Sequence, residues 1–343
     1  MNLFDAMTEL SFGEIHARRD PESGLCAIIA IHSTKRGPAL GGARYVTYAS
    51  EAAAIQDALR LGRGMTYKAA LAGLPLGGGK AVLIKPPGLS PEQRQQQIMA
   101  FGRFVDSLGG RYITAEDSGT SLRDMDAIRS VTRFVSGTSQ DGGDPSPFTA
   151  YGVLRGIQAA AKFVFGRDDL SGLRVSIQGT GSVGYYLAKE LASRGAKLIL
   201  ADIDAARVSK VAQEFNAEIV SCEAILDAEV DIYAPCALGG ALTPEVVGRL
   251  RCKAVAGAAN NQLLTPAVGD LLQAKEILYA PDYAINAGGL IQVAADWAKY
   301  DAKEVKVRCD RIYDTLLDIF QTAAKTGKNT SVVADSKAEE ALQ

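Results

Sequence analysis

The sequence has almost no histidine. His16 and His32 are the only two in 343 residues, and both lie near the N-terminus. A histidine-based metal site or a Ser-His-Asp triad is therefore not expected. Cysteine is sparse as well. Cys26, Cys222, Cys236, Cys252 and Cys309 form an odd, dispersed set with no C-x-x-C pair, which argues for reduced thiols in the cytosol and against a disulfide framework. Charge of one sign is missing too. At a net −2 there is no basic surplus to drive binding to nucleic acid or an anionic membrane. No uncharged apolar run reaches the length of a membrane span, and no signal-peptide pattern opens the chain. There is no internal repeat and no low-complexity tract. The composition, 47% hydrophobic and 22% charged, is that of an ordinary soluble globular protein, and the length suggests two domains.

Against this background residues 64–80 stand out. They hold Lys68 and Lys80 in apolar company, with Gly73 and Pro75 between them and three glycines, Gly77 to Gly79, just before the second lysine. Residues 67–71 read as a short strand and 81–84 as another. The two lysines converge if those strands fold back on each other. Three residues without Cβ leave room for a ligand to pass close to the backbone. An ammonium desolvated beside a second cation releases its proton more readily, which is how a lysine becomes a base. From spacing alone, two surface lysines flanking a flexible loop explain the stretch equally well.

In chain order, a short helix and strands fill residues 1–48. Residues 25–32 are a continuous apolar run of strand length, expected to be buried on both faces. Residues 37–42 read as a loop whose glycines serve either a ligand or a plain turn. Ser50 caps a helix through about residue 63, and Ser90 with Pro91 opens another to residue 108. Residues 111–116 form a strand. Asp117 at its end is placed either for chemistry or to cap the helix starting near Leu122. The run 142–147, glycine- and proline-rich, marks the domain junction. We expect a substrate and oligomerisation domain over 1–146, with 326–343 packing back on it, and a second domain over 147–325.

The second half alternates strands and helices, which describes a parallel sheet wound on both faces, an α/β Rossmann-type arrangement. Residues 174–178 form a strand. Gly179-Thr180-Gly181-Ser182-Val183-Gly184 follows and opens a helix, and the next strand, 197–201, ends at Asp202. That context makes G-x-G-x-x-G a dinucleotide fingerprint. Gly179 permits the tight turn, Gly181 the approach of the pyrophosphate and Gly184 the packing of the helix. The N-terminal amides at Ser182 and Val183 face the phosphates. Asp202 would bind the adenosine ribose and repel a 2′-phosphate, favouring NAD over NADP. Residues 234–239, with Cys236 and Ala237, and residues 258–262 end other strands at the carboxyl edge of the sheet, where ligands bind. With no histidine to activate it, Cys236 is a poor nucleophile.

Five segments, residues 37–44, 64–80, 145–153, 258–263 and 281–289, together resemble the amino acid dehydrogenases acting on leucine, valine, phenylalanine or tryptophan, distant relatives of glutamate dehydrogenase. The likeness runs over nearly the whole chain in the same order. It implies two domains with a cleft between them, a homo-oligomer (a dimer or an octamer), and NAD-dependent oxidative deamination of an L-amino acid. By resemblance, Lys68 binds the substrate carboxylate, Lys80 is the general base toward water, and Asp117 shuttles protons to the amine. Asn260 or Asn261 holds substrate and cofactor, and Thr149 touches the nicotinamide carboxamide. The substrate side chain would meet Leu40, Gly41, Ala115, Leu290 and Val293. Glutamate dehydrogenases carry a lysine where this sequence has Leu40, so the expected substrate is apolar, first a branched aliphatic one, with phenylalanine or tryptophan as alternatives. A non-catalytic NAD-binding sensor would not need both Lys80 and Asp117. A hydroxy-acid dehydrogenase would want a histidine near the nicotinamide.

Overall fold

The computed structural model describes residues 2–140, 143–237 and 239–343. Gly142 of the expected junction and residue 238 of the 234–239 segment lie outside them. The chain divides into two compact units. One comprises Met1–Asp144, Val293–Tyr300 and Ala341–Gln343, the other Pro145–Gln292 and Asp301–Glu340.

The first unit runs α1 (Leu3–Glu9), β1 (Glu14–Asp20), β2 (Leu25–Ser33), β3 (Ala39–Val46), α2 (Glu51–Leu71), β4 (Gly77–Ile84), α3 (Pro91–Asp106), β5 (Tyr112–Glu116) and α4 (Leu122–Arg129). Its sheet has the order β1-β2-β4-β3-β5. The β1/β2 and β2/β4 pairs are antiparallel, and β3 lies parallel to both β4 and β5. The apolar run of β2 is buried on both faces, as its composition predicts. Leu25, Ala27, Ile29 and Ile31 join Ala43, Tyr45, Ala81, Leu83, Ile98 and Phe101 on the α3 side. Ile28 and Ala30 join Ala54, Ala58, Leu59 and Val82 on the α2 side.

Two readings of this unit are corrected. Residues 67–71 are the last turns of α2, not a strand, because a five-residue apolar run does not distinguish a buried helix from a strand. Gly62 and Gly64 do not stop this helix, since a helical glycine costs only about 1 kcal/mol. Residues 39–42 are strand β3, not loop. Val293–Tyr300 also belongs to the first unit. There Ser136 donates to the Val293 carbonyl (2.5 Å) and Trp297 stacks on Phe134 at 6.2 Å.

The second unit contains α5 (Ser146–Phe165), β6 (Arg174–Gln178), α6 (Ser182–Ala192), β7 (Lys197–Ala201), α7 (Ala205–Phe215), β8 (Glu218–Ile219) and β9 (Ile232–Pro235). Next come α8 (Pro244–Arg249), β10 (Ala254–Val255), α9 (Ala267–Ala274), β11 (Leu278–Tyr279), α10 (Asp282–Ile285) and α11 (Gly288–Val293). The end of α11 at Val293 and all of α12 (Ala295–Ala298) belong to the first unit, and α13 (Ala302–Thr326) and α14 (Thr330–Glu340) complete the second. Its six parallel strands follow the order β11-β10-β9-β6-β7-β8. Strand order reverses at β6/β9, the switch point where an open α/β sheet binds its ligand.

The expected packing of residues 326–343 on the first domain is limited to Ala341–Gln343, where the Ala341 carbonyl accepts from Arg36 at 2.9 Å. The rest belongs to the second unit. Val333, Ala334 and Ala338 bury one side of α14, and the Thr330 hydroxyl donates to the Tyr279 carbonyl at 2.7 Å. No helix among the described residues is long and apolar enough to cross a membrane.

Candidate active site

In the first unit, period-two alternation decides which residues share a face. Val82 faces α2 and Ala81 faces α3, so Gly78 and Lys80 also face α2. By the same count Leu40, Gly42 and Arg44 of β3 face α2, and Ala115 of β5 pairs with Gly42. Leu40 is 1% exposed and Ala115 7%.

The glycines before Lys80 make room for the protein's own backbone, not for a ligand. A Cβ on Gly78 would stand 2.1 Å from the Thr66 nitrogen of α2, and one on Gly77 1.8 Å from the Ser33 carbonyl oxygen. A Cβ on Gly41 would meet the Gly79 carbonyl at 1.8 Å. Contact at Thr66–Gly78 seats the last turns of α2 on β4. Lys68 and Lys80 each follow that contact by two residues, so a helix and a strand, not two strands, carry the pair. Lys68 is half-buried.

Lys80 is 5% exposed, and its Nζ lies 2.7 Å from Asp117 Oδ2. The same oxygen accepts from Arg44 Nε at 3.1 Å. Burial pushes the Asp117 carboxyl up, but the Lys80 ammonium and then the Arg44 guanidinium outweigh it and hold the group at about 2. Asp117 does not cap α4. Ser121 does, in a capping box with Asp124. With the capping role taken, Asp117 is left to the lysine.

In the second unit Gly179 has φ +101°, and a Cβ there would collide with Ala237 at 2.9 Å. A Cβ on Gly184 would stand 2.0 Å from the Gly179 carbonyl oxygen, whereas one on Gly181 would meet nothing within 4 Å. The turn is thus closed against the 236–237 segment and open at Gly181. No side chain caps α6, so the amides at Ser182 and Val183 are not taken by a cap. These residues fit a dinucleotide pyrophosphate.

Asp202 braces this loop. Its Oδ2 accepts from the Thr180 amide (2.6 Å) and hydroxyl (2.9 Å), and its Oδ1 accepts from the Asp204 amide (2.9 Å). Beside it, Ile203 is 95% exposed. Burial pushes the Cys236 thiol up to about 12, so it stays protonated at neutral pH and is no nucleophile.

The loop after β10 is held by side-chain amides. Gln262 donates to the carbonyls of Gly257 (2.9 Å) and Ala259 (3.0 Å). Asn286 donates to the Ala258 carbonyl (2.9 Å) and to Asn260 Oδ1 (2.8 Å). Asn261 sits in the left-handed region at φ +51°, its amide bonded to Asp282. Thr149 lies in the first turn of α5, and a Cβ on Gly289 would stand 2.4 Å from its hydroxyl. Leu290 is buried in the second unit, while Val293 belongs to the first.

Comparison with known proteins bears on this arrangement. Residues 12–134 match the Glu/Leu/Phe/Val dehydrogenase dimerisation domain, and residues 200–341 match the glutamate/leucine/phenylalanine/valine dehydrogenase profile. Leucine dehydrogenase of Thermoactinomyces intermedius is 50% identical over all of this chain and 94% of its own length. Valine dehydrogenase of Streptomyces virginiae is 45% identical, with 94% and 92% covered.

The chain belongs to the Glu/Leu/Phe/Val dehydrogenase family.

It is an amino acid dehydrogenase, an oxidoreductase. The crystal structure of L-tryptophan dehydrogenase from Nostoc punctiforme superposes with a TM-score of 0.87 at 40% identity, covering 99% of this chain and 98% of that one. In this member of the Glu/Leu/Phe/Val dehydrogenases, Arg44 touches Asp117 and Asn286 touches Asn260, while Asp57 touches Arg44, and all three escape a sequence reading. The only signal for Arg44 is its i+2 spacing from Gly42, which becomes visible once 39–46 is known to be strand.

Proposed function

We propose that the chain catalyses the reversible, NAD-dependent oxidative deamination of a branched aliphatic L-amino acid, leucine above all, to the 2-oxo acid and ammonia. One observation carries the reading: the buried Lys80–Asp117 pair, 2.7 Å apart, on a sheet face shared with apolar Leu40 and Ala115. The leucine and valine dehydrogenases at 50% and 45% identity support an aliphatic side chain.

The first unit takes the substrate and the second the dinucleotide. Gly179, Gly181, Ser182, Val183 and Gly184 would hold the pyrophosphate, Asp202 the ribose, and Thr149, Cys236 and Ala237 the nicotinamide end. NAD, when bound, accepts a hydride from the substrate Cα. Lys68 holds the substrate carboxylate. Lys80 takes a proton from the water that attacks the imino carbon. Asp117 carries protons to and from the nitrogen, so one water is consumed and one ammonia leaves. Of the asparagine pair, Asn260 is the better substrate contact, because its side chain is exposed and its carbonyl is fixed by Asn286. The dimerisation profile over 12–134 supports a homo-oligomer, and five free cysteines suit the cytoplasm.

The test is kcat/KM for leucine, valine, phenylalanine, tryptophan and glutamate under one condition. Leucine or valine should lead, with several apolar amino acids turned over, since a methylene is worth only about 1–3 kcal/mol. Glutamate should be last, because burying its unpaired second carboxylate against Leu40 costs several kcal/mol, roughly. Glutamate in first place overturns the pocket. Tryptophan or phenylalanine ahead by about tenfold keeps the pocket but replaces the aliphatic substrate. The likeness to the tryptophan dehydrogenase makes tryptophan the second reading.

A second expected result concerns the cofactor. Asp202→Ser should weaken NAD binding and narrow the gap between NAD and NADP, because a carboxylate that repels the 2′-phosphate is removed. Equal use of both cofactors by the unaltered enzyme contradicts this role for Asp202.

A further inference from the structure

A line of five side chains crosses the α2 face of the first sheet. Tyr48 donates to Asp57 Oδ2 (2.6 Å), and Arg44 Nη1 donates to the same oxygen (2.9 Å). Arg44 Nε reaches Asp117 Oδ2 at 3.1 Å, which in turn lies 2.7 Å from Lys80 Nζ. Gly42 makes the space for this. A Cβ there would stand 2.7 Å from Asp117 Cβ and 3.3 Å from Lys80 Nζ. Arg44, Asp57 and Asp117 are each about a fifth exposed, so water screens them little.

The charges in this line pair off as Lys80 with Asp117 and Arg44 with Asp57. A lysine acting as base spends part of each turnover without its proton. At that moment Asp117 loses the cation nearest to it, and a buried carboxylate with no cation takes up a proton. Arg44 does not lose its charge in a protein. We propose that Arg44 is a positioning residue that holds Asp117 oriented, and ionised whenever it is not itself carrying a proton, while Lys80 gives up and regains its proton. Asp57, itself bonded by Tyr48, holds the guanidinium in place from its other edge. Glu116 precedes Asp117 in the chain, Tyr112 is buried on the same strand, and Tyr48 also feels the Asp117 charge. None of these three supplies a positive charge.

This inference rests on Lys80 and Asp117 acting as proposed above. Its test is the pH profile of kcat and kcat/KM for leucine with Arg44→Gln, Arg44→Lys and Asp57→Asn, alongside NADH binding. Arg44→Gln should lower kcat about 10²-fold, the effect of a misplaced catalytic group, leave NADH binding unchanged, and move the acidic limb of kcat/KM to higher pH. Arg44→Lys keeps the charge but not the two-pronged contact. It should recover part of kcat and return the acidic limb to its original place. Asp57→Asn should lower kcat without moving that limb. A kcat for Arg44→Gln within about threefold of the unaltered enzyme overturns the proposal, as does a fall with an unshifted profile that lysine does not rescue. If Arg44→Gln does not fold, Arg44→Lys decides. A drop of about tenfold supports the proposal and unaltered turnover overturns it. Activity retained by Lys80→Ala would remove the base itself. An inactive Lys80→Ala beside a normal Arg44→Gln removes only the role of Arg44.

Discussion

Lys80→Ala is expected to lose at least about 10²-fold in kcat, since positioned general acids and bases contribute roughly 10²–10⁴-fold. It should still bind NADH, because the residues proposed for the dinucleotide lie in the second unit. Removing the ammonium also strips Asp117 of its closest cation, 2.7 Å away. The carboxylate is buried, so it should become easier to protonate, and two functions fail together. Single-turnover reduction of NAD separates loss of chemistry from loss of binding, and NADH fluorescence titration checks the second unit directly. Turnover above about a tenth of the unaltered rate excludes Lys80 as the base.

Gly78→Ala is expected to disrupt the first unit while adding a single methyl group. The new Cβ would lie 2.1 Å from the Thr66 nitrogen and 2.4 Å from its Cα. Both sides of that contact are backbone, so no rotamer change relieves it. Overpacking a core costs about 1–3 kcal/mol when side chains can shift, occasionally more, and here α2 must lift from β4. A fall in Tm of at least about 6 °C follows if the upper end applies, at about 2–4 °C per kcal/mol for a unit of this size. Activity should fall further than stability, since the displaced turn carries Lys68. Gly64→Ala is the control in the same helix. Its Cβ would meet nothing within 4 Å, so it should be neutral or stabilise by up to about 1 kcal/mol. Equal melting temperatures for the two variants would show that the Thr66–Gly78 contact does not seat the helix.

The Rossmann strands were legible almost to the residue, because short apolar runs bounded by glycine and aspartate admit few readings. Arg174–Gln178 and Lys197–Ala201 appear where the pattern puts them. Two glycines of the fingerprint, Gly179 and Gly184, answer steric demands that the structure displays, while a Cβ on Gly181 would meet nothing within 4 Å. Lys80 and Asp117 were proposed from resemblance and chemistry, and the structure sets them 2.7 Å apart, but the side chains around them were not legible. Residues 37–42 read as loop because glycine and proline dominate them, yet 39–42 are central strand, where neighbouring backbones leave no space for a side chain at Gly41. Without a strand there is no face, and without a face Arg44 cannot be placed beside Lys80. Residues 326–343 were expected to pack on the first domain, yet Val333, Ala334 and Ala338 bury one side of α14 within the second unit.

Asp202 has a consequence for any attempt to redesign this dehydrogenase. The carboxylate proposed to set the cofactor preference also accepts the Thr180 amide and hydroxyl inside the glycine turn. Retuning toward a phosphorylated ribose by exchanging Asp202 alone therefore leaves two donors of that turn without their acceptor, and the loop that grips the pyrophosphate slackens as the preference shifts. Breadth and grip are coupled through one side chain. A variant that gains the second dinucleotide without losing the first must supply Thr180 with a new acceptor, or replace Thr180 at the same time.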